Sequence, residues 1–299
     1  MIQNVKSFCL RIIDALHRFL LSTFVGFHSP RSLGSRRLSD SEKTPYVRCI
    51  GAIASSKDLK KRFRRVFMYR EIVETVSYAQ GKRYLDRLNT LNKQENLDIS
   101  SYALNDLIGN PITYKYSASL KISPTTLRYL SVSSELREIF GNQLGGSFVE
   151  IGAGYGGQAA ILMKDFDVTS YSIFDLPDAQ LITKYFLEEL QTYALVRMCT
   201  LSDNAKENYD LVISNYAFSE LPREIQDLYI TQVLQKSKRG YLIMNSGLSD
   251  ITGRQNGKHT LTELKEKLPP FDVYEESPST GPDNYVIVWG HEKSRNPVV

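Results

Sequence analysis

Cysteine and tryptophan are both scarce in this sequence, which contains three cysteines and one tryptophan among 299 residues. Cys9, Cys49 and Cys199 lie far apart and fit neither the spacing of a metal site nor a disulfide framework. This usage favours a reducing compartment, and we expect a cytoplasmic protein. No other group of candidate metal ligands stands out, so we expect no metal.

Long apolar runs are missing as well, since none approaches the roughly 20 residues that a membrane-spanning helix needs. Hydrophobic residues make up 42% of the chain and charged residues 23%. This composition is typical of a soluble, folded protein rather than a disordered one. A chain of this length can bury one large core, or one core and a smaller helical region.

Acidic residues are few at the beginning of the chain. Residues 1–70 contain fifteen Lys and Arg against four Asp and Glu, a local charge of +11 within a total of +4. The remaining residues therefore carry a charge of −7. A basic segment of this kind suits a negatively charged or membranous neighbour, and it can also serve solubility alone.

Three segments precede the clearest motifs. Residues 1–27 have the periodicity of an amphipathic helix, which would dock on the protein, lie on a membrane surface through residues 1–25, or be a cleaved targeting sequence. Residues 28–55 contain two prolines and predict a linker. Residues 56–140 predict a helical region that covers the substrate, and the basic cluster at 57–65 suits a solvated helix face or a binding patch.

Apolar runs and helical stretches alternate over residues 141–299, which predicts β-α-β units and a parallel sheet. The loop between the last two runs has no room for a helix, so these strands should pair antiparallel. We therefore expect an α/β domain with a seven-stranded, mostly parallel sheet and an antiparallel last strand. The predicted strands are 147–151, 169–174, 195–199, 209–214, 240–245, 271–276 and 284–289. The predicted helices are 124–140, 156–165, 178–192, 221–237 and 260–268.

A glycine-rich run follows the first predicted strand, from Glu150 to Gly157. Glycines between a strand and a helix let backbone N–H groups approach a ligand closely, because glycine has no Cβ atom. Together with Gly157, Gly152 and Gly154 satisfy the fingerprint of dinucleotide-binding proteins, and Asp175 lies where a ribose-binding acid would be. An NAD(P)-dependent oxidoreductase is therefore one interpretation of the run.

Three features favour S-adenosylmethionine as the cofactor instead. Glu150 would lie beside a pyrophosphate and repel it, but its charge suits the ammonium group of a methionine moiety. The residues after the run complete the sheet and leave no room for a separate substrate domain. The Tyr-x-x-x-Lys motif at Tyr78–Lys82 precedes the run, which is the wrong order for a short-chain dehydrogenase.

Polar residues follow the second and fourth predicted strands. Asp175 would accept hydrogen bonds from both ribose hydroxyls, with Leu176 as an apolar wall for the adenine; alternatively, Asp175 caps the helix that follows. The segment 215–220 follows the fourth strand, and in a doubly wound sheet the carboxyl ends of the strands line the ligand crevice. We expect this segment, which begins at Asn215, to face the transferred methyl group.

Three stretches together resemble class I methyltransferases, which use S-adenosylmethionine: these are Phe148–Gly157, Phe174–Pro177 and Tyr209–Ile213. The resemblance implies a Rossmann-like fold, here preceded by a helical N-terminal region. Glu150, Gly152, Gly154 and Asp175 match the cofactor motif directly. Members usually offer an acidic or polar contact to the adenine after the third strand; this chain has Thr200–Asp203 there, which leaves the adenine contact open.

Upstream, Gly109–Pro111 and Ile122–Tyr129 resemble the sugar O-methyltransferase family of bacterial glycan clusters. This resemblance implies a sugar hydroxyl as the acceptor, in glycan or glycolipid biosynthesis. Within the second stretch, Arg128 would grip the methionine carboxylate bidentately or form a structural ion pair. Asn215 is a further candidate contact of the cofactor.

A sugar hydroxyl is a poor nucleophile at neutral pH, so a positioned base would assist methyl transfer. Glu220 is our first candidate for this base and His259 the second. Each has a structural alternative, with Glu220 as an acid at a helix start and His259 as a surface loop residue.

Other functions stay open at this point, including methylation of another small molecule. A nucleic-acid methyltransferase would use the basic N-terminal segment for phosphates. However, Asn215-Tyr216 lacks the prolines that follow in amino-methylating enzymes, so we expect no nucleic-acid partner. A scaffold on an inactive methyltransferase fold would have no need of an intact set of cofactor residues.

Overall fold

The computed structural model describes residues 45–91, 97–201, 208–245, 258–281 and 284–291. The predicted helix over residues 1–27 and the first part of the predicted linker lie outside these ranges. Among the helices within them, none is both long enough and apolar enough to span a bilayer.

Within the described residues, four helices come first: α1 (Pro45–Ser55), α2 (Lys57–Lys60), α3 (Phe67–Val73) and α4 (Tyr78–Leu91). The prediction of a linker over 28–55 is therefore wrong for residues 45–55, which form α1. Tyr46, Ile50 and Ile53 recur at helical spacing and are buried. Pro45, which suggested a linker, is the first residue of the helix, where its missing N–H has no helical partner to lose.

A 3₁₀ segment, Ile99–Leu107, and an antiparallel hairpin of β1 (Tyr114–Lys115) and β2 (Lys121–Ile122) lead to the long helix α5 (Pro124–Phe140). The Ser123 hydroxyl caps α5 by accepting a hydrogen bond from the Thr126 N–H at 3.1 Å. The helix predicted over 124–140 is confirmed. The hairpin is a difference from the purely helical region that the sequence predicts over 56–140.

The second half of the chain forms a seven-stranded sheet with helices between its strands. The strands are β3 (Ser147–Ile151), β4 (Ser170–Phe174), β5 (Val196–Cys199), β6 (Tyr209–Asn215), β7 (Ser237–Met244), β8 (Asp272–Glu275) and β9 (Tyr285–Trp289). The helices are α6 (Gly157–Asp165), α7 (Pro177–Glu189), α8 (Ala217–Glu220), α9 (Arg223–Gln232) and α10 (Leu261–Lys267). The strand order is β5-β4-β3-β6-β7-β9-β8, and β9 runs antiparallel to both of its neighbours while the other pairs are parallel. The predicted Rossmann-like α/β fold with an antiparallel last strand is confirmed.

The predicted boundaries differ most from the structure between α9 and β7. The helix predicted over 221–237 ends at Gln232, and the strand predicted from 240 begins at Ser237, which pairs with Tyr209 of β6. The residues after Ser237 are Lys238 and Arg239, and their charges interrupt the apolar pattern by which a strand is predicted.

The order of the strands places the candidate site residues at one edge of the sheet. The chain runs outward from β3 through β4 to β5 and then returns to β6 on the other side of β3. A crevice forms at the carboxyl ends of the strands where the order reverses in this way. The glycine run after β3, Asp175 after β4 and Asn215 at the end of β6 therefore converge.

The helices before the sheet share the core of one sheet face. Ile50, Phe63 and Leu88 of this region belong to the same hydrophobic cluster as Phe148 and Ile213 of the sheet. A second cluster fills the opposite face. The helical region therefore packs directly on the sheet, near the edge where the crevice forms.

Arg64 is fully buried in this helical region. Its guanidinium forms ion pairs with Glu74 and Asp106 and donates to the Ser123 hydroxyl, the cap of α5. The guanidinium also lies 4.6 Å from the centre of the Tyr155 ring, which belongs to the glycine run. A buried cation is tolerated only when it is paired and hydrogen-bonded, so Arg64 fixes these segments relative to one another.

Replacing Arg64 with alanine would leave the carboxylates of Glu74 and Asp106 buried without their partner. We expect Arg64→Ala to lower the free energy of unfolding by about 3–5 kcal/mol, measured by urea unfolding. Arg62→Ala is the matched control, because Arg62 is exposed and its loss should cost about 0.5 kcal/mol or less. Equal losses in the two variants would contradict this role of Arg64.

Candidate functional site

The glycine run forms a tight loop between β3 and α6. Gly152 has a φ of 75° and Gly154 a φ of 62°, a region in which residues with a Cβ atom are strained. The Gly152 N–H donates to the Phe174 carbonyl at 2.8 Å, which ties the loop to the end of β4. A Cβ atom on Gly152 would lie 2.1 Å from the Cβ atom of Ala217. Both conformation and close packing therefore require glycine at this position.

Asp175 follows β4 and fastens the glycine loop. Its carboxylate accepts hydrogen bonds from the N–H groups of Gly154 at 3.0 Å and Leu176 at 2.7 Å. Burial raises the pKa of Asp175 to about 6, although these N–H donors oppose the shift. The interpretation of Asp175 as a helix cap is wrong, because the half-buried Leu176 holds the capping position of α7 and no side chain caps that helix.

Glu150 is buried on β3, next to Tyr171 of β4, whose hydroxyl donates to its carboxylate at 2.7 Å. Burial raises the pKa of Glu150 to about 7; the hydrogen bond from Tyr171 lowers it, and the charge of Asp175 raises it further. Because both carboxyl pKa values lie above their unfolded values, the two groups cost stability as the pH rises through the interval up to about 7. A cation bound nearby would offset that cost, so this pair favours a cationic ligand.

Asn215 ends β6 with one of its polar atoms unsatisfied. Its Nδ2 donates to Gln158 Oε1 at 3.2 Å, and Gln158 Nε2 in turn donates to the Tyr129 carbonyl at 3.1 Å. The Oδ1 atom of Asn215 is buried and has no hydrogen-bond partner within the described part of the chain. A buried acceptor of this kind costs free energy until a donor reaches it.

Arg128, on α5, is a buried cation with incomplete pairing. Its guanidinium lies 5.3 Å from the centre of the Tyr129 ring and 5.7 Å from that of Tyr216, and Nη2 donates to the Val73 carbonyl at 3.5 Å. The Nε atom is buried and has no partner among the described residues. The structural ion pair considered for Arg128 is not found there either. The side chain therefore has capacity for an anion.

A small cavity lies beside Arg128, and most of the residues that line it have a polar group in the side chain. The lining residues are Tyr84, Arg128, Ser131, Val132, Glu135, Tyr241, Ile243, Glu276 and Ser277. The carboxylates in this wall already have partners. Glu135 pairs with Arg87 at 3.1 Å, and Glu276 accepts hydrogen bonds from Tyr216, Thr280 and Asn284.

Tyr216 follows Asn215 of the crevice and contacts Glu276 of the cavity wall, and its backbone conformation is unusual. Its φ is 71°, a region that costs a residue with a bulky side chain about 1–3 kcal/mol. The conformation is held at both ends, since the Tyr216 N–H donates to the Ile243 carbonyl at 2.9 Å and the hydroxyl donates to Glu276. It directs the next residue, Ala217, against Gly152. Sequence reasoning placed this segment at the crevice but missed Glu276, because no local pattern marks a partner 60 residues away.

Glu220 lies in the single turn of the short helix α8, so it is an acid at a helix start, as the structural alternative has it. Asn245 Nδ2, just beyond β7, donates to its carboxylate at 2.8 Å, and Ser219 donates to the Asn245 side-chain oxygen at 2.6 Å. Tyr46 of α1 lies near it: burial raises the pKa of Tyr46, and the charges of Asp175, Cys49 and Glu220 raise it further. The sequence does not predict this tyrosine as a neighbour of the site, because α1 itself is not predicted.

His259 is buried rather than exposed in a surface loop. Its Nε2 lies 2.9 Å from Asp227 Oδ1, and its backbone N–H donates to Gln226 Oε1 at 2.8 Å. Lys267 also donates to Asp227, at 2.9 Å. These contacts hold His259 between α9 and α10. Its role as a second candidate base stays a prediction.

The segment in which the sequence predicts the adenine contact is described only in part. Cys199 ends β5, and its carbonyl accepts a hydrogen bond from Gln180 Nε2 at 2.7 Å. Of the candidate segment 200–203, residues 202 and 203 lie outside the described residues.

No family model matches the sequence, and no curated protein matches it. Solved structures resemble this chain only at a distance. Magnesium protoporphyrin IX methyltransferase from Synechocystis PCC 6803 with bound SAM is 13% identical, with a TM-score of 0.42 over 68% of this chain and 89% of that one. An rRNA methylase from Streptococcus thermophilus is 14% identical, with a TM-score of 0.38 over 52% of this chain and 92% of that one. Similarities this distant do not assign an activity.

Proposed function

We propose that this protein is an S-adenosylmethionine-dependent O-methyltransferase that acts on a sugar hydroxyl. The observation that supports this choice of cofactor is a pair of buried atoms at the crevice that have no hydrogen-bond partner among the described residues. These atoms are the donor Arg128 Nε and the acceptor Asn215 Oδ1. The two side chains are connected, since Asn215 contacts Gln158 and Gln158 contacts the backbone of Tyr129, next to Arg128.

The amino-acid end of the cofactor carries the charged groups that could serve as hydrogen-bond partners for these two atoms. A carboxylate would complete the hydrogen bonding of Arg128, and an ammonium group would donate to Asn215 Oδ1. The same ammonium charge would stabilise the ionised forms of Glu150 and Asp175, whose pKa values are raised to about 7 and about 6. A dinucleotide would instead bring a pyrophosphate to these two carboxylates, which is unfavourable.

Asp175 is the residue that would hold the ribose. An ionised carboxylate can accept about four hydrogen bonds, and the backbone N–H groups of Ala153, Gly154 and Leu176 leave part of that capacity for a ribose hydroxyl. Leu176, beside it, offers an apolar side chain for the adenine. This arrangement fits the cofactor without any change in the glycine loop that Asp175 already fastens.

When bound, S-adenosylmethionine supplies an electrophilic methyl group on a sulfonium. The residues of the chain then have two tasks. They align the acceptor hydroxyl with that methyl group, and they accept the proton that the hydroxyl loses. Glu220 is the candidate for the second task, because Asn245, which Ser219 positions, holds its carboxylate at the carboxyl ends of β6 and β7. The sugar acceptor is supported by the resemblance of Ile122–Tyr129 to sugar O-methyltransferases.

The cofactor contact of Arg128 is tested by Arg128→Met, which keeps the length of the side chain and removes its charge. Loss of charge-assisted hydrogen bonds should weaken S-adenosylhomocysteine binding by about 10- to 150-fold, or 1.5–3 kcal/mol, in calorimetry. Arg137→Met is the control, because Arg137 is on the same helix but donates to the Asp165 carbonyl. If both variants bind with unchanged affinity, Arg128 does not hold the cofactor.

The proton acceptor is tested by Glu220→Gln, which keeps the shape of the side chain and removes its basicity. We expect kcat for a sugar acceptor to fall by about 10²–10⁴, while cofactor affinity and melting temperature change little. Glu224→Gln, an exposed acid of the following helix, should leave kcat unchanged. An unchanged kcat with a lower melting temperature in Glu220→Gln would instead indicate a structural residue.

A further inference from the structure

The segment 57–67 presents a row of cations on the surface. It contains six Lys and Arg and one acidic residue, Asp58. Phe63 and Arg64 point inward and are buried. The exposed cations of the segment are Lys57, Lys61, Arg62 and Arg65. Phe67 ends the segment, and its side chain is 61% exposed.

Residues 104–110 lie alongside this segment and present exposed apolar side chains. The Arg64 N–H donates to the Gly109 carbonyl at 3.0 Å, and Arg65 Nε donates to the Asn110 carbonyl at 2.9 Å. Just before these residues, Leu104 is 58% exposed and Leu107 is 77% exposed. We call the exposed residues of the two segments the basic-apolar face: Lys57, Lys61, Arg62, Arg65, Phe67, Leu104 and Leu107.

Little negative charge offsets the cations of the basic-apolar face. Asp106, which lies between the two leucines, is buried and paired with Arg64. Asp58 is therefore the one exposed acid within 57–67 and 104–110. The face combines an unbalanced positive charge with apolar side chains that extend into solvent.

We infer that the basic-apolar face binds the surface of an anionic lipid bilayer. Cations attracted to lipid headgroups and apolar side chains inserted among the acyl chains act together in peripheral membrane binding. A nucleic acid would attract the same cations. However, Leu104 and Leu107 can neither stack on bases nor hydrogen-bond to them, so their exposure favours lipid.

The basic-apolar face adjoins the crevice through α3, which starts at Phe67 and ends at Val73. The Val73 carbonyl accepts the hydrogen bond from Arg128, and its side chain lies 3.3 Å from where a Cβ atom on Gly154 would be. Binding to a bilayer would therefore hold the crevice near the lipid headgroups. That position suits an acceptor sugar carried on a lipid, a step that rests on the proposed function.

The test measures binding of the full chain to vesicles of phosphatidylcholine, with and without phosphatidylglycerol, by sedimentation. We expect binding to the anionic vesicles that weakens with salt. Lys61→Glu/Arg62→Glu should weaken it by at least about 25-fold, about fivefold for each cation removed. The control Lys184→Glu/Lys265→Glu changes two exposed lysines of α7 and α10 and should bind like the parent.

A second variant separates insertion from charge. Leu104→Ser/Leu107→Ser should weaken the binding that persists at high salt, where the attraction of cations is screened. Vesicle binding that is unchanged in both double variants would overturn the inference and assign the binding to another part of the chain. Tighter binding to single-stranded RNA than to vesicles, lost in Lys61→Glu/Arg62→Glu, would also overturn it. Neither result affects cofactor binding, so this inference and the proposed function fail separately.

Discussion

The burial of Arg64 is the constraint on which the arrangement of the site depends. Its guanidinium needs partners in a place without water, and it finds them in Glu74, Asp106 and the Ser123 hydroxyl. Ser123 caps α5, the helix that carries Arg128, and the same guanidinium lies over the ring of Tyr155 in the glycine loop. One cation therefore sets the position of α5 relative to the loop. This explains how helices that precede the sheet can contribute to a crevice at the edge of the sheet.

The crevice contains buried polar atoms that have no hydrogen-bond partner in the described part of the chain, and two buried carboxylates that lie close to each other. Arg128 lacks an anion and Asn215 lacks a donor, while Glu150 and Asp175 have pKa values raised by burial. Such groups cost stability in the absence of a ligand, and a zwitterionic ligand of the right size would offset all of these costs together. The amino-acid end of S-adenosylmethionine is such a ligand, which is why the electrostatics of the crevice support a methyltransferase more strongly than any single motif does.

The sheet and the glycine loop could be predicted because their signals are local. Alternating apolar runs specify the strands, and the glycine spacing specifies the turn between β3 and α6. The sequence does not predict helix α1, because a proline such as Pro45 can begin a helix as well as interrupt one, and only the buried contacts of the helix with the core distinguish the two. The contact between Tyr216 and Glu276 and the burial of His259 depend on packing between distant segments. Such contacts cannot be predicted from the periodicity of the sequence.

The central claim is that the crevice binds S-adenosylmethionine, and calorimetric titration with S-adenosylhomocysteine at pH 6.5 in two buffers of different ionisation enthalpy tests it most directly. We expect saturable binding of one ligand per chain with release of protons, because the ammonium group lowers the pKa values of Glu150 and Asp175 from about 7 and about 6. Saturable binding of NAD(H), with no binding of S-adenosylhomocysteine or S-adenosylmethionine, would contradict the account.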